Sequence, residues 1–383
     1  LDPGCHEVSP VNQRPRFPAQ ALHNQIVAAL RAWGWSSEPA EASATVMIEA
    51  DLNGIDSHGI AMLLYYEGLV QAGALNPTPR VVVERESPAT ALIDGDRGLG
   101  HGASLQAIDL ACDKAESVGV GAVAVHRSDH FGAAGVYAAR AARRGMVSLI
   151  TSNGFTRCVV PAGGARPMFS TNPIAFGAPA RRNPPLLFDI ATPTTSIGKV
   201  NLAWLAGKPI PPGWVVDGVG QPVTDAAQAR VIIYDTGEGG LTPLGGTAEM
   251  SAHKGYGLCT MVEVLSALLS GATAAPFHAS RTPGPGGTDT GHFFLALHPA
   301  AFRSVDEFHA DMDRLIDTLR ATPPADPARP VMVPGDIEWR TRGARQSEGI
   351  PLEPKLLGEL AALCARSGID FQLNAPMTEQ ALA

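Results

Sequence analysis

The sequence has no C-x-x-C pair, no H-E-x-x-H, no long uncharged apolar run and no excess of basic residues. Each absence removes a class of function. Five cysteines (Cys5, Cys112, Cys158, Cys259, Cys364) are scattered and odd in number. Such a set reads as reduced thiols in a cytoplasmic protein, not as a disulfide framework or a zinc site. The longest apolar stretch, Gly257 to Phe277, carries Glu263 and several small residues, so a buried helix is expected there rather than a membrane span. The first ten residues, LDPGCHEVSP, have neither a basic nor an apolar region of the kind an export signal needs. A formal net charge of -8 gives neither nucleic acid nor an anionic membrane an electrostatic reason to bind.

What is present is the profile of a folded enzyme: 383 residues, 45% hydrophobic and 17% charged. Apolar residues recur at helical spacing from Ala21 to Trp33, and a second helix is expected from Ser37 or Glu38, with Pro39 in its first turn. The loop Asn53 to Gly59 follows, then a helix from Met62 to Val70. After Asn76-Pro77-Thr78-Pro79 the pattern becomes α/β. Strands are expected at Arg80–Glu84, Thr90–Asp94, Val120–Val125, Met146–Thr151, Leu186–Ile190 and His292–Leu297. Helices are expected at Ala103–Ser117, Ala133–Arg144 and Val262–Leu269. Pro- and Gly-rich stretches at Ala279–Thr290 and Ala321–Pro330 read as loops or linkers, and amphipathic helices at Val305–Leu319 and Pro354–Arg366 close the chain. The expected organisation is an N-terminal helical region (1–78), an α/β region (79–300) and a C-terminal helical region (301–383) packing with the N-terminal one.

Gly98, Gly100 and Gly102 precede a helix, but their spacing is G-x-G-x-G, not G-x-G-x-x-G. The next strand ends at His126, where a ribose-binding carboxylate would be wanted. A glycine-rich helix entry accounts for them, and a Rossmann fold is not expected.

Four segments carry residues suited to chemistry. In Asp56-Ser57-His58-Gly59, a loop histidine can act as acid or base near neutral pH, with Ser57 orienting it, although a Ser-His pair also serves as a turn. In Ser128-Asp129-His130-Phe131-Gly132, between an apolar strand and a helix, the helix N-terminus offers N–H groups to an anion. No metal site is expected there, because the loop does not put its histidines on one helical face. In Ser170-Thr171-Asn172-Pro173 and Phe188-Asp189-Ile190-Ala191-Thr192, the carboxylate of Asp189 ends an apolar run and needs a donor, either at a site or as a helix cap. In His253-Lys254-Gly255-Tyr256-Gly257, a lysine and a helix N-terminus suit phosphate, or simply mark a glycine-led helix start.

These segments occur in one order over some 300 residues, with Pro334-Gly335-Asp336 beyond them, and together they resemble the malate/L-lactate dehydrogenase family. That family also contains ureidoglycolate, sulfolactate and diketogulonate oxidoreductases and cyclic imine reductases. The resemblance implies a non-Rossmann α/β (α+β) fold, with a central mixed sheet and a helical domain built from both chain ends. It implies a homodimer acting on a small molecule with NAD or NADP. It also implies hydride transfer to or from the carbon of a carbonyl/hydroxy or imine/amine substrate. By position, His58 looks like the acid/base, Ser57 and Asp189 its relay partners, and His130 the neighbour of nicotinamide and substrate. Gly132, Thr171, Asn172, Asp189, Ile190, Ala191, Thr192, Lys254, Gly255, Pro334, Gly335 and Asp336 resemble cofactor-contacting positions.

One departure bears on the substrate. Members acting on 2-keto acids carry an arginine four residues after the loop histidine, where it pairs with the substrate carboxylate. Here Met62 stands at that position, with Tyr66 further along the same face. Arg157 is the candidate substitute cation. A substrate bulkier or less anionic than a simple keto acid is therefore expected, a cyclic imine among them. A catalytically inactive binding protein of the same fold is the remaining alternative.

Overall fold

The computed structural model describes residues 14–280 and 282–377. The leading decapeptide and Cys5 lie outside the described residues; Cys112, Cys158, Cys259 and Cys364 are buried free thiols.

The chain begins with β1 (Arg16–Phe17), α1 (Ala19–Ala32), α2 (Ser37–Leu52), single 3-10 turns at Asp56–His58 and Ile60–Met62, and α3 (Leu63–Gln71). The α/β part follows: β2 (Val82–Glu86), β3 (Thr90–Asp94), α4 (Gly100–Val118), β4 (Val120–Ser128), α5 (Ala134–Arg143), β5 (Val147–Ser152), β6 (Ile174–Ala178) and β7 (Leu186–Ile190). A smaller unit contains α6 (Ile197–Leu205), β8 (Val215–Val216), β9 (Pro222–Val223), α7 (Ala226–Val231) and β10 (Gly240–Leu241). Then come α8 (Ala252–Val262), which runs on into a wider π-helical turn at Glu263–Leu268, β11 (Thr290–Leu297), α9 (Val305–Arg320), α10 (Asp336–Glu348), β12 (Ile350–Pro351) and α11 (Pro354–Ser367).

Seven strands form a mixed sheet in the order β2-β3-β4-β11-β5-β6-β7. Only the β3–β4 pair is parallel, and β11 lies antiparallel between β4 and β5. This is a mixed α/β architecture without a doubly wound parallel sheet. Helices α4 and α5 cover the sheet with small side chains: Ala103, Ala107, Ala111, Ala134, Ala138 and Ala141 belong to the same buried cluster as Val123, Val125, Ile150 and Phe294. Alanine lets a helix approach a strand closely without a rotamer cost.

A second cluster joins the two ends of the chain. Leu22, Ile26 and Leu30 of α1, Met47 of α2 and Leu63 and Tyr66 of α3 pack with Ile350, Leu360 and Leu363. The β1–β12 ribbon pairs Arg16 with Pro351. Helix α2 belongs to both cores, because Val46 and Ala50 face the sheet cluster while Ala44 and Met47 face the helical one. A helix buried on two sides has no single apolar stripe, which is why its sequence looks weakly amphipathic. The third cluster (Val159, Phe169, Val215, Leu241 and neighbours) holds the small three-stranded sheet β10-β8-β9. Helix α9 is fastened to the β6–β7 connection, where Asp313 accepts from the backbone N–H groups of Arg182 and Asn183. Among the described residues no helix is long and apolar enough to cross a membrane.

Candidate active site

The loop after α2 is held from below by a buried carboxyl. Asp51, in the last turn of α2, is 2% exposed. Its Oδ2 accepts the Ile60 N–H at 2.9 Å, and burial pushes its pKa up to about 8. Gly59 lies directly against that carboxyl: a Cβ there would meet Asp51 Oδ1 at 1.7 Å. From the other side Arg345 of α10 donates to the Asp51 carbonyl and to the carboxylate of Asp56. Arg342, one turn earlier, binds Glu49 at 2.8 Å and the Asn53 side chain at 3.2 Å. The loop is thus bolted between two helices, and His58 projects from it.

His58 Nδ1 lies 2.8 Å from Ser57 Oγ. Its ring stacks on that of His130, with centroids 5.5 Å apart and planes 25° from parallel. Burial holds its pKa down at about 4, so the imidazole is neutral at pH 7.

His130 is delivered by the loop between β4 and α5. Asp129, 2% exposed, braces that loop, accepting the His130 N–H and the Thr288 hydroxyl, each at 2.7 Å. Burial raises its pKa to about 6. His130 Nδ1 meets the Tyr66 hydroxyl at 2.8 Å. Two residues that sequence reasoning did not single out complete the cluster. His101, in the first turn of α4, is fully buried with its Nε2 3.4 Å from the Tyr66 hydroxyl. His292, on β11, is held between Ser128 and Ser152 at 2.9 and 2.8 Å and stacks on Phe131. The only sequence signal for His101 was its place in the glycine run that fails as a dinucleotide fingerprint. Asp51 and Arg345 gave none, since their partners are remote along the chain or ordinary in type.

Asp189 ends β7 over the N-terminus of α5, where its Oδ2 accepts the Gly135 N–H at 2.7 Å. The anion met by this helix start is therefore the chain's own carboxylate, not an external one. Its placement suits the helix dipole. Ser57, not Asp189, is the hydrogen-bond partner of His58 in this chain.

Two of the remaining expected segments, Ser170–Pro173 and His253–Gly257, are joined through Thr192 and Leu244 along one seam. Thr192, fully buried, donates from its hydroxyl to the Asn172 carbonyl at 3.0 Å, and its N–H donates to the Thr171 carbonyl. The Leu244 N–H donates to the Thr192 carbonyl, and the Gly255 N–H to the Leu244 carbonyl. Gly255 is required by protein packing, because a Cβ there would meet the Leu244 backbone at 2.3 Å. The N–H groups of Ala252, Lys254 and Gly255 are taken by carbonyls of Thr247, Ser251 and Leu244, so three of the donors at this helix start are already used. Ile190 and Ala191 lie half-buried beside Asp189. Pro334 is exposed, and its carbonyl accepts the Leu187 N–H at 3.2 Å. Gly335 has a φ of 100°, and a Cβ on it would come within 3.0 Å of Leu187 N. Asp336 is held by Arg320 and by the Val333 N–H, an ion pair that fixes α10.

Met62 packs half-buried against the helical core, one turn before Tyr66. Gly132 fits between His101 and Val46. Arg157 is half-buried and makes no ion pair among the described residues. Its charge acts on His278, whose ring packs on Phe155 at 4.6 Å.

The seam offers an acceptor for a nucleotide's hydroxyl or amide donors and an exposed lysine for its phosphate. Asn172 Oδ1 and Thr195 Oγ1 are buried there without a hydrogen-bond partner, and the exposed Lys254 has no ion pair among the described residues. Unpaired buried polar atoms are uncommon in native structures and call for a partner. Among the described residues no group of three or more His, Cys, Asp or Glu side chains could hold a metal ion.

Residues 17–361 match the profile of a family described as malate/L-lactate dehydrogenase. The chain is 36% identical to the malate dehydrogenase of Pyrococcus abyssi over 355 residues, covering 92% of this chain and 95% of that one. Its fold superposes on the malate dehydrogenase of Entamoeba histolytica with a TM-score of 0.87 at 30% identity, covering 94% and 99% of the two chains. It is also similar to the delta1-piperideine-2-carboxylate reductase of Pseudomonas syringae pvar. tomato, with a TM-score of 0.79, 30% identity and coverage of 91% and 99%.

Proposed function

The chain belongs to the malate/L-lactate dehydrogenase family, and from that premise we propose that it is an NAD(P)-dependent oxidoreductase in which His58 holds and moves the proton. The observation that carries this reading is the His58 imidazole itself: neutral, hydrogen-bonded to Ser57, stacked on His130 and presented by a loop locked from two helices. When bound, the nicotinamide supplies or accepts the hydride.

Everything else falls to the protein. In the oxidative direction a neutral imidazole takes the proton from a hydroxyl or amine; in reduction the imidazolium returns it to the heteroatom. Positioned acid–base help of this kind is worth about 10²–10⁴-fold. Ser57 orients the ring, and His130 stacks beside it. The Asn172–Thr192 seam and Lys254 would hold the nucleotide, with Lys254 countering phosphate charge. Asp189, engaged by Gly135, shapes the entrance from β7. Two subunits would complete the entity: Leu202, Trp204 and Leu205 of α6 and Leu268 and Leu269 after α8 are exposed apolar side chains suited to a homodimer contact.

For the substrate, Met62 sets the reading. An apolar side chain stands where keto-acid members of the family carry a carboxylate-binding arginine, which favours a carbonyl or cyclic imine compound bulkier or less anionic than pyruvate or oxaloacetate. The half-buried, unpaired Arg157 is the candidate anchor for a remaining negative group. A cyclic imine reductase is the second reading, and the structural similarity to a piperideine-2-carboxylate reductase favours it.

The test follows NAD(P)H absorbance with purified enzyme against keto acids and against cyclic imines. Turnover of either class, lost with His58→Ala while cofactor affinity holds, supports the proposal. Ordinary efficiency on pyruvate or oxaloacetate overturns the substrate reading. A melting temperature unmoved by NADH and by NADPH overturns the enzyme reading in favour of an inactive binding protein.

A further inference from the structure

Four histidines, His58, His101, His130 and His292, lie close together, and hydrogen-bond counting assigns the proton on one of them. His130 Nδ1 faces two donors: the Tyr66 hydroxyl at 2.8 Å and the Gly132 backbone N–H at 3.3 Å. A backbone N–H can only donate, so this longer contact favours a lone pair on His130 Nδ1, and the shorter Tyr66 contact decides whether that lone pair is kept. Tyr66 is fully buried, and its hydroxyl has a single proton. That proton goes to the nearer acceptor, His130 Nδ1, leaving the phenol oxygen to accept from its other neighbour. The other neighbour is His101 Nε2 at 3.4 Å, which therefore bears its hydrogen.

The chain of donors is then closed. It runs from His101 Nε2–H to the Tyr66 oxygen, and from the Tyr66 O–H to His130 Nδ1. His101 Nδ1, buried and without a partner, is left as a bare acceptor. The opposite arrangement would bury an unpaired N–H at that atom, the costlier defect. It would also turn the phenol proton toward the longer of its two contacts. Burial keeps both rings neutral: His101 is held down at about 3, and His130 well below its ordinary value by burial and by the neighbouring histidines.

We propose that His101, acting through Tyr66, is a positioning residue that fixes His130 as its Nε2–H tautomer. His130 Nε2 thereby carries a constant hydrogen-bond donor beside His58, and His58 is the one histidine of the group that exchanges a proton during turnover. The kinetic part rests on the oxidoreductase reading; the tautomer is a property of the resting protein and does not.

The experiment uses the full chain labelled with ¹⁵N-histidine and two-bond ¹H–¹⁵N correlation, the His130 signals being identified by their loss in His130→Gln. The expected spectrum has His130 Nδ1 in the unprotonated range and Nε2 protonated, unchanged between pH 6 and 8. In His101→Leu the two tautomers should mix and kcat should fall about 10-fold, within the range seen for residues supporting a reacting group. His101→Gln, which restores an N–H donor, should return kcat to within about 3-fold of the parent. Tyr66→Phe, which keeps the ring and removes only the hydroxyl, should mix the tautomers as His101→Leu does; it decides the matter alone should His101→Leu not fold. A protonated Nδ1 in the parent, or an unchanged tautomer in both variants, overturns the proposal. The expected spectrum with no turnover of any carbonyl or imine would instead sink the oxidoreductase reading and leave the tautomer standing.

Discussion

Gly59→Ala is the sharpest probe of how the site is built. The backbone at Gly59 has φ -91° and ψ -147°, so no left-handed conformation demands glycine. The demand is spatial. A methyl group would sit 1.7 Å from Asp51 Oδ1, 2.0 Å from its carboxyl carbon and 2.4 Å from Oδ2. Ordinary contact needs about 3.5 Å, so the loop and the carboxyl must part by about 2 Å. Asp51 cannot easily yield, since it is buried at the end of α2 and bonded to the Ile60 N–H. The loop moves instead. Overpacking of this kind costs about 1–3 kcal/mol, and losing the Ile60 bond adds about 1 kcal/mol. The larger effect is catalytic, because His58 is the adjacent residue and a 1 Å misplacement can cost about 10²-fold. The expected result is a kcat lower by at least about 10²-fold, with cofactor affinity within about 3-fold of the parent. Asp51→Gly in the same chain removes the obstructing carboxyl, so the double variant should recover part of the kcat lost by Gly59→Ala alone. Steady-state kinetics on the four members of that cycle, with cofactor binding by fluorescence, provide the assay. A fully active Gly59→Ala enzyme, or strictly additive losses in the double variant, would refute the idea that the Asp51–Gly59 contact positions His58.

Asp51→Asn should change the pH dependence of stability. The carboxyl rises from 3.8 to about 8 on folding, so its contribution is complete below pH 3.8 and is lost as pH rises to about 8. Between those limits the variant should gain on the parent by about 1.4 kcal/mol per pH unit, measured by urea unfolding at several pH values; a constant difference would sink the assignment. For His58, held near pKa 4, oxidation needs the neutral ring, so kcat/KM in that direction should be flat at neutral pH and fall as pH drops through about 4. Reduction needs the imidazolium and should decline with rising pH above that value, and a profile of either direction that His58→Ala leaves unchanged would exclude the residue. Met62→Arg should raise kcat/KM for oxaloacetate about 10- to 100-fold, the worth of one charge-assisted pair; no gain would mean that this position does not face the substrate.

Much of the scaffold was legible because its signals are local. Thr90–Asp94 and Leu186–Ile190 emerge as strands with the bounds expected, since apolar runs there end in charged or turn-forming residues. The strand expected at Arg80–Glu84 is found two residues later, at Val82–Glu86, an edge strand with mostly exposed side chains and so no alternation to fix its register. Strand β6 was not expected: Ile174–Ala178 lies inside the sheet with both faces covered, and its small, uniformly apolar residues carry no period. Helix α10 was also missed, because it is nearly all polar and is held by Arg342 and Arg345 rather than by an apolar face. The site divides the same way. Ser57, His58, Tyr66 and His130 lie together in segments that sequence reading singles out, whereas Asp51 and His101 acquire meaning only from partners that folding brings to them.

The brace on the His58 loop also orders events in time. Arg345 and Asp56 are separated by 289 positions along the chain. At about 5–20 residues per second, a ribosome takes roughly 15–60 s between making one and making the other. The nascent polypeptide therefore carries its His58 loop without that clamp for most of its synthesis, and a translating chain stalled before α10 should be catalytically silent however well its sheet has formed.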